Sequence, residues 1–261
     1  MNIIKEAQRV LSAESKALET LSQSLDNNFV EACEKIRKAN KVVVSGVGKS
    51  GIVGKKIAAT FSSVGIPSIF LHPTEALHGD LGIVNEGDVS ILISKSGTTD
   101  ELLVLFPYLK KRTCIISITS NSNSLLSKKS DIHLLIPLDK EACPIELAPT
   151  TSTTMTMALG DAIAASIMRL NKFEEKDFAM NHPLGQLGKN LSTTVGDVMH
   201  TGINIPIIDI SRSFKDALIV MTDKPLGCLC VVDNNKLVGI ITDGDTRRAL
   251  NNFDLISDIK I

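Results

Sequence analysis

Five short apolar runs, each followed by a turn and a helical stretch, constrain this chain more than any other feature. They are the Val42-Val-Val run ending at Gly46, Ser68–Leu71, Val89–Ile93, Cys114–Ile118 and Ile132–Ile136. Helical spacing of apolar residues fills the intervals at Ile52–Val64, about Thr99–Lys111 and Ser124–Lys129, and again from about Ser152 to Leu170. Strands that are apolar throughout are buried on both faces, and strand–helix alternation demands crossover connections between parallel strands. The expectation is a doubly wound, flavodoxin-like α/β domain: a five-stranded parallel sheet with helices on both faces. Residues 2–39, with Val10, Leu11, Ala17, Leu18, Leu21 and Leu25 at helical spacing, read as helix ahead of it.

Around residues 191–195 the pattern changes. Ile205–Ile208, a helix near Phe214–Met221, strands at Cys228–Val232 and Leu237–Ile241, and a helix from Asp243 to Leu250 follow in quick succession. Asp233-Asn-Asn-Lys236 is a hairpin signal between two of those strands. This reads as a small α+β module, which divides the chain into 1–192 and 193–261.

Composition excludes several partners. Lys plus Arg total 28 against 29 acids, so no electrostatic surplus favours nucleic acid or an anionic membrane. No apolar run approaches about 20 residues, so no membrane-spanning helix is expected. The start MNIIKEAQRV lacks the basic and apolar regions of a signal peptide. Five cysteines (33, 114, 143, 228, 230) without C-x-x-C fit reduced thiols in a cytoplasmic protein. The expected partner is a small molecule or another protein.

The turn VVVSGVGKSG (42–51) carries two phosphate signals. Gly46-x-Gly48-x-x-Gly51 matches a dinucleotide fingerprint, and Gly48-Lys49-Ser50 ends like a P-loop. A P-loop needs a glycine where Val43 stands, so that reading fails. A dinucleotide site wants an acid at the end of the second strand, where Phe70-Leu71-His72-Pro73 offers none. A tight turn without ligand remains open. So does a turn that aims Lys49 into the crevice where open α/β sheets bind ligands. The loop after the third strand favours the latter. Ser94, Ser96, Thr98 and Thr99 put four hydroxyls, with Gly97, before a helix start. Hydroxyls and backbone N–H groups at a helix N-terminus suit one phosphate monoester. Helix capping by Thr98 or Thr99, with Glu101 as a first-turn acid, accounts for one hydroxyl but not four.

GVGKSG, HPTEALHGDLG (72–82), SKSGTTDE (94–101), KEACPIELAPTTSTT (140–154) and NHPLGQLG (181–188), in this order, closely resemble the bacterial D-arabinose-5-phosphate isomerases. Those proteins join a sugar-isomerase domain to paired cystathionine-β-synthase-type (CBS) motifs. The resemblance implies interconversion of D-ribulose 5-phosphate and D-arabinose 5-phosphate through an enediol, supplying the octulosonate (Kdo) of lipopolysaccharide. It implies Lys49, Glu101, Glu141 and His182 as the catalytic set, with Glu141 the best candidate for the carbon base. It also implies a ring-opening or proton-shuttling role for His182, exercised in a neighbouring subunit's site, and hence a homo-oligomer, expected to be a tetramer. Ser50, His78, Ser94, Ser96, Thr98 and Thr99 are the expected substrate-binding residues. The resemblance implies that His72 can take an inhibitory zinc ion; on spacing alone, two histidines six apart form a weak ligand set, and no metal requirement is expected. No cofactor is required.

Val195–His200 and Gly239-Ile-Ile-Thr-Asp-Gly-Asp-Thr-Arg-Arg248 resemble one CBS motif, placed to contact a nucleotide. Ser257-Asp258-Ile259 resembles the start of a second, which suggests an incomplete module whose uncovered sheet face pairs with another chain or is poorly ordered. Two alternatives stay open: a non-catalytic phosphosugar-binding regulator, and an isomerase of a related sugar phosphate.

Overall fold

The computed structural model of the chain describes residues 2–183, 193–252, 259 and 261. The chain forms two compact units, Met1–Ser192 and Thr193–Ile261.

The first unit is built on β1 (Val42–Gly46), β2 (Ser68–Phe70), β3 (Val89–Ile93), β4 (Cys114–Thr119) and β5 (Ile132–Leu135), in the spatial order β2-β1-β3-β4-β5. Every pairing is parallel. The doubly wound sheet expected from the apolar runs is therefore present. Side-chain alternation along the strands explains why both faces are apolar. Val42, Val44, Ile91, Ile93, Ile116 and Ile118 pack in one core with α1 (Ile3–Gln23), α2 (Asn27–Lys38), α3 (Gly48–Ser63) and α7 (Thr151–Leu170). Val43, Leu92 and Ile115 point the other way, against α4 (Pro73–Leu77), α5 (Asp100–Lys110) and α6 (Leu125–Lys129).

The stretch read as helical over 2–39 is helical and consists of two helices. Asp26 interrupts it: its carboxylate accepts the Asn28 N–H at 2.9 Å and caps α2, while the Ser24 N–H closes α1 on the Leu21 and Thr20 carbonyls. Apolar spacing continues across this corner, which hides the break.

In the second unit, β6 (Ile207–Asp209) pairs parallel with β7 (Cys228–Asp233), and β7 pairs antiparallel with β8 (Lys236–Thr242). Asn234 and Asn235 have φ of 49° and 63°, as a tight hairpin turn of the left-handed type requires. Ile208, Ala217, Met221, Leu229 and Val231 form a small core beneath the helix Phe214–Asp223. Leu237, Val238 and Ile240 of β8 are more than half exposed. At the helix Asp243–Asn252, the Thr242 Oγ1–H and N–H both donate to Asp245, 2.7 and 2.9 Å away. That hydroxyl and carboxylate, expected from the motif to meet a nucleotide, are bonded to each other. Ser257 and Asp258 lie outside the described residues.

Candidate active site

In a parallel sheet of this strand order, α3 leaves β1 towards one face and α5 leaves β3 towards the other. The diverging connections open a crevice at the carboxyl edge between β1 and β3. The two loops singled out from the sequence border that crevice. Gly46 ends β1, and Gly48, at φ +58°, turns the chain into α3. A Cβ on Gly51 would lie 2.6 Å from the Gly46 carbonyl oxygen, so the tight turn requires glycine there. Val47, at the cap position of α3, makes no side-chain cap, which leaves the first-turn N–H groups without a side-chain acceptor among the described residues. Lys49 is exposed and forms no ion pair among the described residues; Ser50 is half-buried.

The hydroxyl loop is braced by its own side chains. Ser94, 2% exposed, has its Oγ 2.8 Å from Thr99 Oγ1 and accepts the Gly97 N–H at 3.0 Å. Ser96 Oγ accepts the Thr98 N–H and Oγ1–H at 3.2 and 2.9 Å. Capping of α5 was expected to absorb one hydroxyl, yet Thr99, at the cap position, makes no side-chain cap bond. Its hydroxyl turns to Ser94 instead, and the α5 N-terminus keeps donors free of a side-chain cap. Glu101 is exposed in the first turn of α5.

Glu141 is the most constrained ionisable group at this edge. Its residue is 2% exposed although it sits in a loop after β5. Oε2 accepts the backbone N–H groups of Thr150 (2.9 Å) and Ser152 (3.1 Å); Oε1 accepts the Ser152 Oγ–H (2.5 Å) and pairs with Lys95 Nζ (2.9 Å). Burial pushes its carboxyl pKa up, but the Ser152 hydroxyl, Lys95 and the two backbone N–H groups outweigh burial and hold it at about 2. The carboxylate thus occupies the N-terminus of α7, where the helix dipole also favours negative charge. Lys95, Thr150 and Ser152 were not singled out from the sequence. Lys95 lies inside the hydroxyl loop, among neighbours whose residue types carry the stronger phosphate signal. A hydroxyl-rich start of a long helix eleven residues after a glutamate was the available signal for Ser152.

His72 follows β2 at the same edge. It begins α4, and its Nδ1 accepts the Thr74 N–H at 3.3 Å. His78 closes that helix and is exposed. Among the described residues no group of three or more His, Cys, Asp or Glu side chains could hold a metal ion, so the side chains present do not fit a zinc site within one chain.

His182 lies elsewhere. It ends α8 (Glu175–Asn181), stacks on Phe178 with ring centroids 3.9 Å apart, and has Nδ1 2.9 Å from the Phe178 carbonyl. A carbonyl only accepts, so neutral His182 carries its proton on Nδ1 and leaves Nε2 unprotonated, with no partner among the described residues. The neighbouring Asn181 donates to the Ser63 carbonyl at the last turn of α3. Since α3 runs 16 residues, about 24 Å, from the crevice to that point, His182 sits at the opposite edge of the sheet from Lys49. Residues 184–188 of the motif that carries it lie outside the described residues. Lys49, Ser50, His72, the hydroxyl loop, Glu101 and Glu141 lie at the carboxyl edge; His182 does not.

The chain also shares its domains and its fold with known proteins. The chain matches the SIS domain over residues 35–166 and the CBS domain over 195–252. It is 46% identical to arabinose 5-phosphate isomerase KdsD of Francisella tularensis over 250 residues, 94% of this chain and 76% of that protein. It is 46% identical to KdsD of Escherichia coli K12 over 254 residues, 96% of this chain and 76% of that protein. Among solved structures, E. coli CFT073 c3406 in complex with arabinose 5-phosphate superposes with a TM-score of 0.67 at 42% identity, covering 70% of this chain and all of that one.

Proposed function

The chain belongs to the arabinose 5-phosphate isomerases, and from that membership we propose that it interconverts D-ribulose 5-phosphate and D-arabinose 5-phosphate. The observation that carries the reading is the pairing of two uncapped helix starts at the switch-point crevice with a buried carboxylate on the same edge. A phosphate monoester suits the first, and proton transfer on carbon suits the second.

The steps follow from those parts. The phosphoryl group lies against the α5 N-terminus, bonded by Ser96, Thr98 and Thr99, with Ser94 bracing the loop and Ser50 and His78 reaching the sugar. Glu141 takes a proton from C1 of the open-chain ketose, and the electron pair moves through the C1–C2 bond onto the carbonyl oxygen. Lys49 balances the resulting oxyanion. The proton is then returned to C2, the hydroxyl proton passes between O1 and O2, and the aldose forms. Glu101 serves the hydroxyl-proton transfer. His182 of a second copy opens the sugar ring through its unprotonated Nε2, so the proposed enzyme is a homo-oligomer, with a tetramer the proposed size. No step calls for a redox cofactor. No helix of the described residues is long and apolar enough to cross a membrane, and the proposed setting is the cytoplasm. There the product supplies octulosonate (Kdo) and lipopolysaccharide synthesis.

Incubation with ribulose 5-phosphate tests the reading: arabinose 5-phosphate should appear, and should vanish in folded Glu141→Gln and Lys49→Ala. Tight phosphosugar binding without turnover would instead mark a regulator.

A further inference from the structure

As it stands in the substrate-free chain, Glu141 is held too acidic for the work proposed for it, because a carbon base is most effective when its pKa lies near the working pH. Its partners differ in how readily they leave. The N–H groups of Thr150 and Ser152 and the Ser152 hydroxyl belong to the buried start of α7, and withdrawing them would unwind that turn. Lys95 is different. Its side chain is 43% exposed, on a flexible four-carbon stem. Its root is pinned: the Lys95 carbonyl accepts the Ser120 N–H at 3.0 Å and the Ser120 Oγ–H at 2.8 Å. The ammonium is therefore free to swing while the backbone stays.

That root lies between Ser94 and Ser96, in the hydroxyl loop itself. A phosphoryl dianion at the α5 N-terminus would present twice the charge of the carboxylate to the same ammonium. Two other cations near Glu141 are engaged elsewhere. Arg9 of α1 donates to the Ala142 carbonyl and pairs with Glu6; Lys140 pairs with Glu146 at 3.9 Å; the first turn of α7 carries no acid.

We propose that Lys95 is a positioning residue acting as a shared counter-ion: it rests on Glu141 in the free chain, and a bound phosphoryl group draws it away. Phosphate binding at one end of the sugar thereby releases the carboxylate that takes the carbon proton at the other. The inference rests on Glu141 acting as the carbon base.

Turnover of unphosphorylated ribulose, with and without inorganic phosphite, tests the link in the full chain. In the wild type, phosphite should accelerate ribulose isomerisation by drawing Lys95 off Glu141. In Lys95→Met the carboxylate is already released, so ribulose turnover without phosphite should exceed the wild type and the phosphite effect should fall towards one. The KM for ribulose 5-phosphate should rise by about fivefold to tenfold, the loss of one charge-assisted contact. Lys95→Arg should restore the phosphite effect and the KM, and Lys95→Gln carries the expectations of Lys95→Met should that variant fail to fold. An ion pair that merely holds two loops together would lower stability and leave the phosphite ratio intact. An intact ratio, or an unchanged KM, overturns the proposal. Residual turnover in folded Glu141→Gln would overturn the base assignment as well. A dead Glu141→Gln with an intact ratio in Lys95→Met sinks the shared counter-ion alone.

Discussion

Replacing Glu141 by glutamine should cost stability in a pH-dependent way whose size follows from its contacts. The carboxyl pKa is about 2 against an ordinary 4.5. At about 1.4 kcal/mol per tenfold change in proton affinity, the difference corresponds to about 3 kcal/mol in a water-excluded site. The Lys95 side chain is 43% exposed, so the pair faces an open crevice and screening reduces the figure to roughly 1–2 kcal/mol. Because the folded state holds the carboxyl below its unfolded value, the stabilisation is complete above about pH 4.5 and disappears as pH falls towards 2. Glutamine keeps the shape and can still accept the Thr150 and Ser152 N–H groups, but it does not titrate. The gap between wild type and Glu141→Gln should therefore be widest at pH 7 and should narrow steadily below pH 4.5. Urea unfolding followed by tyrosine fluorescence measures it: Tyr108 is the sole tyrosine, there is no tryptophan, and Tyr108 lies on α5, so the signal reports the first unit. A gap that stays constant between pH 7 and pH 3.5 would refute the reasoning, since carboxylates common to both proteins cancel in the difference.

Three further outcomes are expected. Lys49→Ala and His182→Ala should each be inactive alone, while mixed and reassembled chains should recover partial activity, because some sites then combine an intact Lys49 with an intact His182; no recovery would place both residues in one chain's site. Gly97→Ala should abolish turnover and lower stability by about 2 kcal/mol or more, measured by the same unfolding assay, because Gly97 has φ +68° and a Cβ there would collide with Ser124 Oγ. Ser45→Ala and Ser117→Ala should leave stability unchanged or raise it by about 1 kcal/mol, since both hydroxyls are fully buried without a hydrogen-bond partner among the described residues; a loss above about 1 kcal/mol would reveal a partner, such as a buried water.

The sheet was legible because its strands are apolar on both faces, a pattern that admits few architectures. The glycine turn was legible because Gly46, Gly48 and Gly51 meet steric demands that persist in the fold. What escaped was long-range and polar. Lys95 and Glu141 are 46 residues apart, and no spacing rule links a lysine in one loop to a carboxylate in another. Ser152 looked like an ordinary helix start, and its bond to Glu141 exists only because β5 delivers the intervening loop across the N-terminus of α7. The hydroxyl loop was recognised as a cluster, but how its members divide between bracing one another and facing the crevice depends on backbone turns that periodicity does not encode. The corner at Asp26 was hidden because apolar residues continue on both sides of it.

The separation of His182 from the crevice of its own chain has a consequence for how such a protein responds to dilution and to damage. Competence would belong to the assembly, so specific activity should decline as concentration drops below the dissociation constant of the subunits, even with every monomer properly folded. Equally, a copy spoiled at only one end would silence a neighbour's chemistry while its own remained sound, whereas a copy spoiled at both ends would silence two sites, which makes mixtures of healthy and wholly defective chains less active than their proportions suggest.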